Sequence, residues 1–167
     1  MSPVLAEGLE LQSVSARVRV GGQRVIGVEQ PERFREYDIS ATYRLPWERY
    51  SASGWGVGTR LLASVGWLTG ASDSALVVSV LPLLAAGRHD GRYAVDMGFG
   101  AAVLSRNQFE QQDFGGYLQF ALTVGVSVPV YRRLGLGYRF MHYSDAALYG
   151  TDTIGADFHM VEVSYRF

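Results

Sequence analysis

The segment Val161-Glu162-Val163-Ser164-Tyr165-Arg166-Phe167 alternates apolar and polar residues without a break and stops on an aromatic. A period of two is the period of a strand, because successive side chains of an extended chain point to opposite faces. An alternating strand at the end of a chain is what a closed outer-membrane barrel needs. Its last strand must pair with its first, since an open sheet edge in hydrocarbon leaves N–H and C=O groups without partners. The expectation is therefore an all-β protein whose sheet closes on itself.

The same period recurs upstream. Tyr37, Ile39, Ala41, Tyr43 and Leu45 alternate with Glu36, Asp38, Ser40, Thr42 and Arg44. Comparable alternations run through 57–67, 93–103 and 119–128, and further segments lie near 9–20, 75–86, 134–145 and 156–167. Together they predict an eight-stranded antiparallel transmembrane β-barrel of outer-membrane type, with residues 1–167 as a single domain. The first segment changes parity between Leu11 and Val14, which predicts a bulge or a later start. A helical membrane protein is excluded: mean hydropathy is only +0.05. The longest apolar stretch, Ala75 to Gly87, is interrupted by Ser79 and Pro82, and it falls short of the ~20 residues a spanning helix requires. Cysteine is absent, which removes disulfide frameworks and thiolate metal sites, and a net charge of −1 gives no sign of nucleic-acid binding. Every basic residue is Arg, which we read as genomic bias. Met1-Ser2-Pro3 lacks the basic start and apolar core of a signal peptide, so an exported chain is expected to be a mature form.

One face of most segments is large and apolar, and the other is Gly, Ser, Thr or charged. A soluble barrel would put the large apolar face inside. Here that face points to lipid, and Glu36, Asp38, Arg44, Arg60, Asp96, Arg139, Glu162 and Arg166 are expected to pair with one another in a filled lumen. A lumen packed with charge is no pore. Short connections at Gly87–Gly91 and Val130–Arg133, with a longer Pro46–Gly54, are assigned to the periplasm. Gly21–Phe34, Ser105–Gly116, Ala146–Gly155 and a tight Thr69–Asp73 turn are assigned to the outside. Trp47, Tyr50, Trp55 and Tyr131 are expected in one aromatic belt, and Trp67, Tyr117 and Tyr143 in the other.

The lipid-facing stripes of the last two segments turn polar at the outer end. The penultimate one reads Leu134, Leu136, Tyr138, Phe140, His142, Ser144; the last, counted back from Phe167, reads Tyr165, Val163, Val161, His159, Asp157. Antiparallel pairing brings Ser144 and His142 against Asp157 and His159, with the register open by one pair. Ser, His and a carboxylate on one patch are the parts of an activated hydroxyl nucleophile. The bland alternative is polar residues at headgroup height, where they cost little. A metal site from His142, His159, Asp157 and Asp145 is a lesser option, and no metal is expected.

At these residues the chain resembles the PagL-type lipid A 3-O-deacylases. The likeness is strongest from about Ala94 to Phe167 and includes Gly-Phe-Gly-Ala-Ala-Val at 98–103 and Gly137-Tyr138-Arg139-Phe140-Met141-His142-Tyr143-Ser144-Asp145-Ala146. The family's His-x-Ser-Asn motif carries base and nucleophile, so the resemblance implies His142 as base and Ser144 as nucleophile. The family's acid follows a glycine near the start of the last strand, which points to Asp157 after Gly155. The family's Asn after the nucleophile is Asp145 here, and its Ala-Gly is Ala146-Ala147. A carboxylate in this oxyanion region is expected to weaken activity.

The resemblance thus implies a bacterial outer-membrane ester hydrolase. It would remove a 3-hydroxyacyl chain from lipid A of the outer leaflet without a cofactor, with the acyl chain beside the sixth to eighth strands. Arg106 reads as a solvated loop Arg, with a phosphate contact as the alternative. A non-enzymatic eight-stranded barrel for adhesion or membrane integrity is the rival reading. A soluble lipocalin-like binder, hinted at by Gly54-Trp55, is opposed by the outward apolar stripes.

Overall fold

The computed structural model describes residues 9–21, 24–25, 28–29, 31–150 and 152–167. The reading of Met1-Ser2-Pro3 lies outside these described residues. The strands are β1 (Glu10–Gly21), β2 (Arg24–Val25), β3 (Val28–Glu29), β4 (Phe34–Tyr50), β5 (Trp55–Gly70), β6 (Asp73–Arg88), β7 (Ala94–Leu104), β8 (Leu118–Tyr131), β9 (Leu134–Ser144) and β10 (Ala156–Arg166). Eight of them close an antiparallel barrel in the order β1-β10-β9-β8-β7-β6-β5-β4, while β2 and β3 pair with each other in the first long connection. Closure is made by the alternating terminal segment, which pairs with β1 from Ser13↔Arg166 to Gly21↔His159. The parity change in the first segment is a register shift between Leu11 and Ser13 opposite β4.

The outward faces are apolar and bare, as a bilayer-facing wall must be: Ile39 is 64% exposed and Phe99 56%. One sequence expectation needs correction. The strand at 36–45 does not end at Pro46 but resumes after a register shift between Arg44 and Glu48 and runs to Tyr50. Proline has no N–H to give to the ladder, so pairing breaks around it and is restored beyond the irregularity. The connections 51–54, 89–93 and 132–133 are then all short. At the other end 105–117 and 145–155 are long, which marks that end as extracellular.

The lumen has two halves. Near mid-barrel Arg17 donates to both Asp38 oxygens at 2.6 and 2.7 Å, and on the periplasmic side of that pair Arg139 donates to both Asp96 oxygens at 2.7 and 3.0 Å and to Glu162 at 3.5 Å. Gly125 leaves room for this second cluster, since a Cβ there would lie 2.6 Å from the Arg139 Cζ. The expected inward pairing therefore holds in part, but the partner of Asp38 is Arg17 of the irregular first strand. Arg44 sits at the mouth with Glu10 (2.7 Å) and Glu48 (3.7 Å), and Arg166 donates to the carbonyls of Arg132 and Leu134. Arg60 carries a buried Nη2 without a hydrogen-bond partner. It lines a cavity of about 30 Å³ with Asp96, Arg139 and Arg166, room for roughly two waters.

The extracellular half departs from a charge-filled lumen. Leu68, Leu81, Leu104, Met141, Phe158 and Met160 are buried there, and Phe34 packs against Phe109 and Phe114 of the 105–117 connection at ring distances of 4.9 and 5.6 Å. Tyr143 belongs to this interior and not to an aromatic belt. Its side chain is fully buried and its hydroxyl donates to Glu36 at 3.4 Å. The parity that turns His142 and Ser144 outward necessarily turns Tyr143 inward.

Candidate active site

The register of β9 and β10 sets the site. Asp157 lies directly opposite His142 and Ala156 opposite Tyr143, which decides the pairing that the sequence left open. His142 Nδ1 and Asp157 Oδ1 are 2.6 Å apart, the short range of a charge-assisted hydrogen bond. Both side chains point outward from the barrel wall, yet they are only 13% and 5% exposed. Ser144 follows two residues later on the same face of β9, about 7 Å away along the backbone, and is half-buried. On the other flank, β8 sets Phe120 beside Ser144 and Leu122 beside His142. Phe120 stacks on Phe99 at 5.6 Å, so the nucleophile candidate borders an apolar strip.

Close packing explains the glycine before β10. A Cβ on Gly155 would lie 2.3 Å from the Tyr143 carbonyl oxygen and 3.2 Å from the Ser144 Cβ. Only a residue without a side chain lets β10 approach the serine here. Two residues that sequence reasoning missed hold this stretch. Gln112, buried in the 105–117 connection, donates from Nε2 to the carbonyls of Ile154 (3.1 Å) and Gly155 (2.7 Å). Arg19 donates to the carbonyls of Phe34 (2.6 Å) and Asp157 (3.2 Å), with its guanidinium 5.1 Å over the Phe158 ring. Gln112 lies in a loop without a period, and Arg19, two residues from Arg17, sits in a strand whose parity shift near Leu11 obscures which face its arginines occupy.

The remaining candidates fall elsewhere. Asp145 accepts hydrogen bonds from the N–H of Ala147 (3.1 Å) and of Tyr149 (3.2 Å) and from the Thr153 hydroxyl (2.9 Å). Its carboxylate therefore organises the 145–153 loop. Ala146 and Ala147 take left-handed φ angles of 49° and 64°, a conformation that favours glycine. The Ala147 N–H is spent on Asp145, whereas that of Ala146 has no acceptor among the described residues. His159 lies opposite Phe140, with its Nδ1 2.5 Å from the Tyr138 hydroxyl, and takes no part in the His142–Asp157 pair. Among the described residues no group of three or more His, Cys, Asp or Glu is arranged to hold a metal. Arg106 is not a free phosphate contact but is ion-paired with Asp73 at 2.7 Å.

The closed barrel that carries this pair is matched by a known family. The sequence pattern of PagL, lipid A 3-O-deacylase, covers residues 35–166. The chain belongs to the PagL family. A solved structure, described as the crystal structure of the outer membrane enzyme PagL, superposes with a TM-score of 0.74 at 19% identity and covers 93% of this chain and 99% of that one. The Yersinia pestis outer membrane protein Ail, solved in a phospholipid bilayer nanodisc, gives a TM-score of 0.53 at 14% identity, covering 96% and 100%. No curated protein matches the chain in sequence. Membership of the PagL family makes this an outer-membrane protein of a lipid A deacylase family.

Proposed function

We propose that the chain hydrolyses the ester of a 3-hydroxyacyl chain at the 3-position of lipid A through Ser144, His142 and Asp157. The observation that carries this reading is the 2.6 Å hydrogen bond between His142 Nδ1 and Asp157 on the lipid-facing wall beside Ser144. With its Nδ1 proton donated to Asp157, His142 leaves Nε2 free to accept the Ser144 proton as Oγ attacks the ester carbonyl carbon. The Nε2 proton then passes to the departing sugar hydroxyl as the C–O bond breaks. Water, deprotonated by the same nitrogen, releases the fatty acid from the acyl-serine. Asp157 stabilises the imidazolium in both steps and is a positioning residue. The unengaged N–H of Ala146 is the candidate donor to the oxyanion, and the charge of Asp145 is partly met by its three loop donors. The Phe120–Leu122 strip of β8 lies where the acyl chain of a membrane-embedded substrate would run. No cofactor enters the scheme.

Mass spectrometry of lipid A mixed with refolded protein in detergent tests it. The wild type is expected to remove one hydroxyacyl mass, and Ser144→Ala to lose on the order of 10⁶-fold in rate. Asp157→Asn should give a smaller loss, on the order of 10⁴-fold, while keeping the fold. Unchanged lipid A with a folded wild-type barrel would favour the non-enzymatic reading.

A further inference from the structure

The wall made by β1, β4 and β5 carries a feature that the catalytic reading does not use. Along the outward face of β4 and the residues just before it come Arg33, Arg35, Tyr37 and Ile39, one above the other. Arg33 and Arg35 are exposed at the extracellular rim and line a depression of about 420 Å³ with Thr69 of β5. Neither guanidinium forms an ion pair among the described residues. The neighbouring Glu32 is buried, and its carboxylate accepts from the main-chain N–H groups of Arg33 (3.1 Å) and Gln111 (3.3 Å).

Directly below, a second depression of about 510 Å³ is lined mainly by apolar side chains, among them Ala16, Tyr37, Ile39, Val65 and Trp67. Tyr37 and Trp67 face each other across β4 and β5 and are 52% and 51% exposed, so they stand as posts at the top of a trough. Ala16, opposite Ile39, is the small residue that opens the floor. A basic rim over an apolar trough, on one vertical line of one wall, is complementary to a phosphorylated lipid. Two guanidinium forks suit phosphate oxygens, and the trough suits one acyl chain. The rim stands at the outer leaflet, and its strand β4 is separated from β9 by β1 and β10. That is roughly 15 Å around the barrel, by strand spacings of ~4.8 Å.

We propose that this wall is a second, non-catalytic docking site for lipid A, with a phosphate on Arg33 and Arg35 and an acyl chain between Tyr37, Trp67 and Ala16. The proposal rests on membership of a lipid A deacylase family and not on the catalytic roles of Ser144, His142 and Asp157.

The test uses the full chain carrying Ser144→Ala, which prevents turnover under the proposed mechanism. It is refolded into nanodiscs of equal parts bisphosphorylated lipid A and phosphatidylglycerol, and native mass spectrometry counts the retained lipids. The expected result is one lipid A fewer per barrel when Arg33→Ala and Arg35→Ala are added, with about a tenfold loss of affinity for that molecule, the equivalent of 1.4 kcal/mol. Ala16→Phe, which fills the trough and leaves both arginines intact, should cause the same loss. Lipid A stripped of phosphate should be retained no better by the parent than by the arginine variant. Equal lipid A counts for parent and arginine variant overturn the proposal, as does phosphatidylglycerol held at this wall in place of lipid A. Failure of Ser144→Ala to affect hydrolysis would strike the catalytic reading alone.

Discussion

Through the middle and periplasmic part of the barrel the charges are inside and the wall outside is apolar; toward the extracellular rim polar groups turn outward as well. There Met141, Tyr143 and Phe158 fill the interior, while His142, Ser144 and Asp157 project from the opposite side of the same two strands. The difference follows from depth. An Arg or Lys on the lipid face costs about 2–4 kcal/mol at the midplane, a carboxylate less, and either close to nothing near the headgroups. Groups that are charged between the two headgroup layers therefore turn inward and pair, and groups that must meet lipid are set outward only at the rim. The apolar backing also offers His142 few competing hydrogen-bond partners, which favours the single short bond to Asp157.

The comparison breaks first if the inner charges are dispensable. Arg139 serves Asp96 and Glu162 with side-chain exposures of 7%, 8% and 11%. Arg139→Ala leaves two carboxylates without their cation, for which about 3–5 kcal/mol of stability is expected to be lost. Urea unfolding in lipid vesicles measures this, and Asp96→Ala added to Arg139→Ala should recover part of the loss. Deacylation by the fraction still folded should be unchanged. A variant as stable as the wild type would mean that the inner pairs are ornaments of a barrel held by its ladder alone.

A smaller effect is expected at the rim. Gly155→Ala puts a methyl group against the Tyr143 carbonyl and the Ser144 Cβ, and overpacking of this kind costs typically 1–3 kcal/mol. Because the strand must move away from Ser144 to accept the methyl, the rate of lipid A deacylation should fall by more than the folded fraction does. Loss of activity in simple proportion to folding would show that Gly155 serves the strand ladder and not the position of Ser144.

Which parts of this were legible in the sequence follows the same division. The outward stripes were readable because lipid enforces strict alternation, as in Tyr37, Ile39 and Ala41. The apolar upper lumen was not, because β6 is apolar on both faces: Leu76 and Val78 point out while Val77 and Leu81 point in, so alternation of character vanishes where alternation of direction persists. Tyr143 was drawn to the aromatic belt by its residue type, against the parity of its own strand. Arg17 was overlooked as the partner of Asp38 because the bulge near Leu11 obscures which face it occupies. At the site, residue types and parity brought Ser144, His142 and Asp157 to one patch. The pairing of His142 with Asp157 in place of His159 was fixed by how the 145–155 loop closes, and by Gln112 anchoring it from another loop, neither of which has a period to read.

The smallest effect sharpens the comparison at matched turns. Ala147, after the catalytic candidates, and Arg132, in the periplasmic turn, both hold left-handed φ angles, of 64° and 48°. Such a conformation costs a non-glycine residue about 1–2 kcal/mol. Glycine relieves it but gives back about 0.5–1 kcal/mol through its freer unfolded chain. Ala147→Gly and Arg132→Gly are therefore each expected to stabilise the barrel by no more than about 1 kcal/mol, seen as a small rise in the urea midpoint. Their effects on chemistry should differ. Ala147 donates its N–H to Asp145 and adjoins Ala146, whose N–H has no acceptor among the described residues, so loosening it should change kcat a few-fold, whereas Arg132→Gly should leave kcat alone. If both variants alter kcat equally, the 145–153 loop has no privileged link to the ester-binding end, and the oxyanion donor must be sought elsewhere on the wall.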